Sequence, residues 1–225
     1  MNILSIETST SIFSLCLSDD KNLLYEVKVN RLADSNRDGN LFIEAQRILE
    51  HLIHNGVDAI AVDIGPGQFT SLRVGLSLAK GLALSRSIPL VGITSLDTIA
   101  APLNFLDAPI LVVVNAYRGE FYTARYHQGQ RKGKYLLLDQ LGLFQELKKR
   151  PAWVLTNIEF DRKIIQIKGI KLLNKELAMP QASRLAQLAW PRIREKKFDD
   201  PESIEPFYMK RTDAERALDK KDAIK

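Results

Sequence analysis

The sequence predicts an α/β protein built as two lobes, each a mixed sheet flanked by helices. Three observations predict it. Over residues 1–101, short apolar runs rich in β-branched residues alternate with helical periodicities in the order βββαβαβα. The strand-like run at 59–64 passes through Gly65-Pro66-Gly67 straight into a helical pattern. From residue 110 the same strand–strand–strand–helix–strand order begins again, a structural repeat without sequence repetition.

The opening reads as a β-meander. Strands are predicted at 2–7, 12–18 and 23–29, with turns at Thr8-Ser9-Thr10-Ser11 and Asp19-Asp20-Lys21-Asn22 between them. Residues 31–40 are polar and turn-rich, a loop. Leu41, Ala45, Ile48, Leu49 and Leu52 then share one helical face over 41–54, and Gly56 stands where the helix would close. A strand at 59–64, the Gly-Pro-Gly turn, a helix over 70–86, a strand at 90–93 and a helix at 95–101 follow. Pro102, Asp107 and Pro109 bracket a boundary, giving a first lobe of 1–104, a smaller basic lobe of 105–199 and a C-terminal segment of 200–225. The second lobe is predicted to hold strands at 110–115, 120–127, 134–138 and 152–156, a weaker strand at 164–167, and helices at 141–149 and 181–195. Residues 213–225 alternate in charge and read as a frayed helix or a disordered tail.

A chain of 225 residues has ample length for a core. Its purely apolar runs are only a few residues long, far short of a membrane span, and no basic segment followed by an apolar one opens it. The expected location is therefore cytoplasmic. Cys16, the single cysteine, falls in a strand-like run and is expected to be a buried small apolar residue. The net charge of +5 is uneven. Residues 1–117 carry 8 basic and 12 acidic side chains, whereas 118–175 carry 13 basic and 5 acidic. Such a split suggests lobes with different partners, or a solvated surface with a chance bias.

The Gly-Pro-Gly turn is the most informative local feature. A strand–glycine turn–helix unit points backbone donors at one spot, which suits an anion; the same unit also serves as a plain tight connection. Thr70 or Ser71 could cap the helix that follows. No Gly-Lys-Ser/Thr follows the turn, and Thr70 stands where a GxGxxG motif needs its third glycine. Glu7-Thr8-Ser9 at the first turn could likewise meet an anion or bond its own backbone. Gly65, Gly67 and Thr70 complete the candidate anion or nucleotide contacts. His51 and His54 are three apart at a helix end with only Glu50 beside them, too few ligands for zinc, so no metal is expected. No GxSxG elbow occurs, and nothing ties Cys16 to a histidine. The helix after the turn carries small residues at Ser71, Gly75, Ala79 and Ala83, flanked by Leu72, Leu76 and Leu82. Small stripes let two helices approach closely, either on the protein's own sheet or against a partner.

Five segments in order resemble the TsaB (YeaZ) family. Gly65-Pro66-Gly67-Gln68-Phe69-Thr70-Ser71-Leu72-Arg73-Val74-Gly75 is similar to its GPGSFTGLRIG signature, and Ile3-Leu4-Ser5-Ile6-Glu7-Thr8-Ser9-Thr10 to its ILAIDTST opening. Pro89 to Leu96 resembles its P-x-x-G-V-S-S/T-L segment, Asn115 to Tyr122 its DARRGEVY segment, and Glu205 to Arg211, more weakly, its P-x-Y-L-R ending. Departures are Glu7 for the usual Asp, Ser71 for the usual Gly, and Arg37-Asp38-Gly39-Asn40 where relatives often carry a His.

The resemblance implies the actin-like ATPase (ribonuclease H-like) fold, two βββαβα lobes with the second shortened. It implies a non-catalytic subunit in threonylcarbamoyladenosine synthesis on tRNA, beside the anticodon of ANN-decoding tRNAs. The partners it implies are a TsaD homologue that holds the transferase site, as a heterodimer, and the ATPase TsaE. It also implies tRNA reached through the complex, and a possible homodimer when alone. TsaD carries a metal-holding HxxxH pair that this chain lacks. No cofactor is expected for the isolated chain; ATP could bind at the complex interface. In the family the first-lobe helices contact TsaD, which assigns Ser71, Leu72, Gly75, Leu76, Ala79 and Ala83 to the partner interface. Lys148, Lys149 and Arg150 are the expected tRNA contacts within the basic stretch. The alternative is a stand-alone ATP-dependent kinase or hydrolase of the same fold.

Overall fold

A computed structural model describes residues 1–30, 56–160 and 162–210, with Ile43, Arg47 and Glu50 between. Of the predicted helix over 41–54 only these three residues are described, each helical; His51 and His54, the 31–40 loop and the tail from 213 lie outside the described residues.

The first sheet is formed by β1 (Ile3–Glu7), β2 (Ile12–Ser18), β3 (Leu23–Asn30), β4 (Ala59–Gly65) and β5 (Leu90–Thr94) in the order β3-β2-β1-β4-β5. The meander β1-β2-β3 is antiparallel, while β1, β4 and β5 run parallel. The second sheet repeats this order. Its β6 (Pro109–Asn115) pairs antiparallel with β7 (Glu120–His127), which also pairs with the short β8 (Gln130–Arg131) and with β9 (Leu136–Asp139). On its other side β6 runs parallel to β10 (Trp153–Thr156), and β10 to β11 (Lys171–Leu172). The two lobes expected from the repeated element order are therefore present as two sheets of matching topology.

Alternation along the strands gives each sheet two unlike faces. In the first sheet Leu4, Ile6, Phe13, Leu15, Leu17, Ile60 and Val62 face α1 (Phe69–Arg86). The opposite face holds smaller side chains, among them Ala59 and Ala61 together with Ile3, Val91 and Ile93. It is covered by Leu185, Ala189, Trp190 and Ile193 of α5 (Ala182–Arg194). In the second sheet one face packs on Leu96, Ile99 and Ala100 of α2 (Ser95–Ala100), the other on Leu143 and Leu147 of α3 (Gln140–Lys149) and Ile164 of α4 (Arg162–Ile165).

The helices are thus exchanged between lobes. The division at 104/105 gives α2 to the first lobe, yet its buried side chains serve the second sheet; α5, placed in 105–199, covers the first. Prolines mark where the chain turns, but which sheet a helix covers is set by its apolar stripe. The strand expected at 164–167 is instead helical over Arg162–Ile165, a run too short for its period to be read.

The small-residue stripe of α1 corrects the expected interface. Ser71, Leu72, Gly75, Leu76, Ala79 and Ala83 are the buried residues of this helix, and its apolar members pack in the first-sheet core. Glycine at 75 is required by close approach: a Cβ there would collide with Oγ1 of Thr8. A Cβ at Gly81, on the outer side, would meet nothing. Neither Thr70 nor Ser71 caps the helix; Gln68 is the N-cap residue and its side chain makes no cap bond.

Gly75→Ala is expected to lower the melting temperature by roughly 3–10 °C through overpacking, and Gly75→Trp to prevent folding. Gly81→Ala should raise it by roughly 2–4 °C, since alanine favours helix by ~1 kcal/mol. Scanning calorimetry of the three variants checks both signs.

Candidate functional site

Equivalent turns of the two lobes meet across a cleft. The β1–β2 turn brings Ser9, Thr10 and Ser11, the glycine turn brings Gly67 and Gln68, and the β6–β7 turn brings Asn115 and Tyr117. Val114, Asn157, Ile158 and Met179 complete a cavity of about 220 Å³, and none of these lining side chains is charged. Gly67 is held against Ser9 so tightly that a Cβ would strike the Ser9 carbonyl, and the Gln68 amide donates to that carbonyl at 2.8 Å. Across the cleft the Gln68 side-chain amide donates to the Tyr117 hydroxyl at 3.0 Å. Tyr117 and Arg118 both adopt positive φ, 60° and 57°. Such angles are uncommon for residues with a Cβ; here the Asn115 carboxamide fixes the turn by accepting from the Tyr117 amide at 2.7 Å.

Beneath the cleft lie two carboxyl groups with no solvent exposure, Glu7 at the end of β1 and Asp63 near the end of β4. Glu7 Oε1 accepts from the Ser9 amide at 2.7 Å and from its hydroxyl at 2.5 Å. Asp63 Oδ1 accepts from the Gly65 amide at 2.6 Å and from the Ser95 hydroxyl at 2.7 Å. Burial, and then the charge of Asp63, hold the Glu7 carboxyl well above the usual carboxylate range. Burial pushes Asp63 up to about 7 against the bonds that oppose the shift. Among the described residues no three His, Cys, Asp or Glu side chains group where they could hold a metal ion. Cys16 is buried as expected, and desolvation lifts its thiol to about 12, far from a reactive thiolate.

The candidate anion contacts do not converge on one spot. Glu7 is buried beside a second carboxyl, which repels an anion. Thr8 points toward Gly75, the Gly65 amide is taken by Asp63, and Thr70 lies on the outer side of α1. Only Ser9 and Gly67 of that set line the cleft.

Two further sets of bonds join the lobes. Asp97 of α2 accepts from the Tyr126 hydroxyl on one carboxylate oxygen and from Tyr135 on the other, each at 2.7 Å. Burial raises both phenols, Tyr135 to about 12, so they remain donors at neutral pH. The second set is a strap over residues 199–210. Asp199 accepts from the Gly92 amide at 2.7 Å and pairs with Arg192 at 3.1 Å. The Phe207 amide donates to the Ile64 carbonyl at 2.6 Å, and Tyr208 stacks on Phe69 and accepts from Arg73 Nε at 2.8 Å. Lys210 then crosses to the second lobe, donating to the Ala116 carbonyl and pairing with Glu120 at 2.5 Å.

Sequence reasoning overlooked Asp63, Asp97, Tyr126 and Tyr135. For Asp63 a signal was present: it is the single charge inside an apolar strand run.

On the outside, Phe69, Arg73, Val74, Ser77, Leu78 and Leu82 of α1, with Gly81, line an open groove of about 600 Å³. Lys148 and Lys149 are exposed at the end of α3, whereas Arg150 is held to Glu146 at 2.7 Å, which also takes Arg125. Of the three expected tRNA contacts, Arg150 is therefore already engaged.

Two sheets of one strand order, meeting at a cleft between equivalent turns, make up the actin-like (ribonuclease H-like) fold. Solved structures share this fold. YeaZ from Pseudomonas aeruginosa superposes with a TM-score of 0.72 at 20% identity, over 92% of this chain and 99% of that one. A crystal structure described as an uncharacterized protein with similarity to peptidase YEAZ gives 0.71, also at 20% identity, over 93% and 99%. Residues 44–159 match the family model described as TsaD, tRNA N6-adenosine threonylcarbamoyltransferase. The tRNA threonylcarbamoyladenosine biosynthesis protein TsaB of Bacillus subtilis is 28% identical over 96% of both chains. That of Escherichia coli is 25% identical over 97% of this chain and 98% of its own. The chain belongs to the TsaB (YeaZ) family.

Asp97→Ala would leave the Tyr126 hydroxyl, on a residue 1% exposed, without its acceptor, while Tyr135 keeps the Thr94 hydroxyl. An unsatisfied buried donor costs about 1–3 kcal/mol, so thermal denaturation should move down by roughly 3–10 °C, with Asp97→Asn falling between.

Proposed function

We propose that this chain acts in the formation of threonylcarbamoyladenosine on tRNA as a non-catalytic subunit beside a TsaD homologue, with TsaE completing the assembly in the cytoplasm. The role in this pathway is carried by one observation: the match to TsaB proteins runs end to end, at 96% or more of this chain for two of them. Among the described residues no helix is long and apolar enough to cross a membrane, which accords with that setting.

The non-catalytic reading is supported by the cleft. Its volume of about 220 Å³ is below the ~300–1,000 Å³ of ordinary ligand pockets. A nucleotide triphosphate there would meet hydroxyls and amides without a cationic side chain from the lining residues, above a pair of buried carboxyl groups. The bonds from Asp97 and Lys210 hold the two lobes together, whereas closing on a nucleotide requires lobes that move.

The partner face is the outer side of α1, in place of the inward stripe. Its groove offers Val74, Leu78 and Leu82 with Gly81 as a gap that another helix can approach. Gly81→Trp should fill that gap. Losing one leucine-sized contact costs roughly 1.5–3 kcal/mol, more than tenfold in affinity. Co-purification with the TsaD homologue should drop accordingly while the melting temperature stays near wild type. Full binding by a folded Gly81→Trp variant removes this face from the interface.

Activity gives the direct test. The purified chain alone should show neither threonylcarbamoyl transfer nor ATP turnover, and adding the TsaD and TsaE homologues should give transfer to tRNA. Transfer by the chain alone overturns the non-catalytic reading; a complete reconstitution with no dependence on this chain overturns the subunit role. For tRNA, reversing Lys148 and Lys149 to Glu should weaken binding by the assembled complex. The slope of log affinity against log salt should become shallower by about one to two units.

A further inference from the structure

We propose that a proton held between Glu7 and Asp63 fastens the two turns of the first lobe that form the cleft, and that losing it releases them. The inference is independent of the partners proposed above. The parallel register of β1 and β4 sets Ile6 opposite Val62, so Glu7 and Asp63 are the next pair, on neighbouring strands. Such strands lie about 4.8 Å apart. One oxygen of each carboxyl is fully used, Glu7 Oε1 by Ser9 and Asp63 Oδ1 by Gly65 and Ser95. The other two, Glu7 Oε2 and Asp63 Oδ2, are buried and have no other hydrogen-bond partner. Two ionised carboxylates in that position would each lack a donor and repel; one shared proton satisfies both oxygens.

Among the described residues no cation supplies an alternative. On the same side of the sheet, Arg184 of α5 donates to the Leu177 and Met179 carbonyls, and Arg192 pairs with Asp199. On β3, Lys28 pairs with Glu26, and Asp97 of α2 is turned to Tyr126 and Tyr135. Cys16 on β2 stays a neutral thiol. After burial, the neighbouring charge of Asp63 acts most strongly on Glu7.

The pair titrates as a unit. Both carboxyls stand above their unfolded values, so the folded chain binds more protons than the unfolded chain from about pH 4 upward. The stability they contribute is complete below that pH and is lost as pH rises through about 7, the value for Asp63, and beyond. Above it, like charges at the ends of β1 and β4 push apart the turn that carries Ser9 and the turn that carries Gly65 and Gly67.

Amide hydrogen exchange on the full chain at pH 6 and pH 9, corrected for the intrinsic rate, tests this. The amides of residues 8–11 and of Gly65, Gly67 and Gln68 should exchange at least tenfold faster at pH 9, against an unchanged second sheet. In Glu7→Gln the carboxamide donates to Asp63 at every pH, so the difference should vanish and the melting temperature should vary less with pH. An equal pH response in Glu7→Gln, or none in the wild type, overturns the proposal. If Glu7→Gln does not fold, the infrared carbonyl band of a buried protonated carboxyl in the wild type decides. The proposal requires the band at pH 7 and its fading as the two turns open; its absence at pH 7 overturns it.

Discussion

The parallel pairing of β1 with β4 is the constraint on which the rest of the first lobe depends. It sets the carboxyl ends of two strands side by side, so both following turns emerge at one edge of the sheet. That juxtaposition holds Gly67 against Ser9, brings the Gln68 amide to the Ser9 carbonyl and leaves Glu7 beside Asp63. It also gives α1 its path back over the sheet, where only glycine at 75 fits against Thr8. The second lobe repeats the arrangement with β6 and β10, and so presents its own turn, Asn115 to Gly119, to the same cleft.

A cleft between two such lobes serves ligand closure when the lobes can hinge. Here bonds cross between them at several places. Asp97 reaches two tyrosines of the second lobe, Gln68 reaches Tyr117, and the strap ends with Lys210 on the β6–β7 turn. Polar contacts of this kind are directional, and breaking the Asp97 bond leaves the buried Tyr126 hydroxyl without a partner. These bonds hold the two lobes against one another around the cleft.

The chain order of the longer strands was legible because β-branched runs, hydroxyl-rich turns and glycine turns leave strong local patterns. Other elements left none. A strand of two residues, such as Gln130–Arg131 or Lys171–Leu172, has no period to detect, and the one-turn helix at 162–165 reads equally as a strand. The stripe of Ser71, Gly75, Ala79 and Ala83 was legible as a place of close approach, but the sequence is silent on whether the approaching side chain is the protein's own. Thr8 turned out to be that neighbour. The candidate site was less legible still. Its turns were recognised, whereas the pairing of Glu7 with Asp63 spans 56 residues and follows only from the sheet register.

The exchange of helices between lobes orders events during synthesis. The face of the first sheet opposite α1 is closed by α5, and the strap over 199–210 adds Asp199 to the backbone edge of β5. Both come from the far end of the described chain. While a ribosome is still making the second lobe, the first sheet is coated on one side only, and Trp190 has not yet arrived over Ile3 and Ala61. The earliest-made residues therefore finish folding last, together with the latest-made ones. Removing the final quarter of the chain strikes first at the lobe encoded by its beginning.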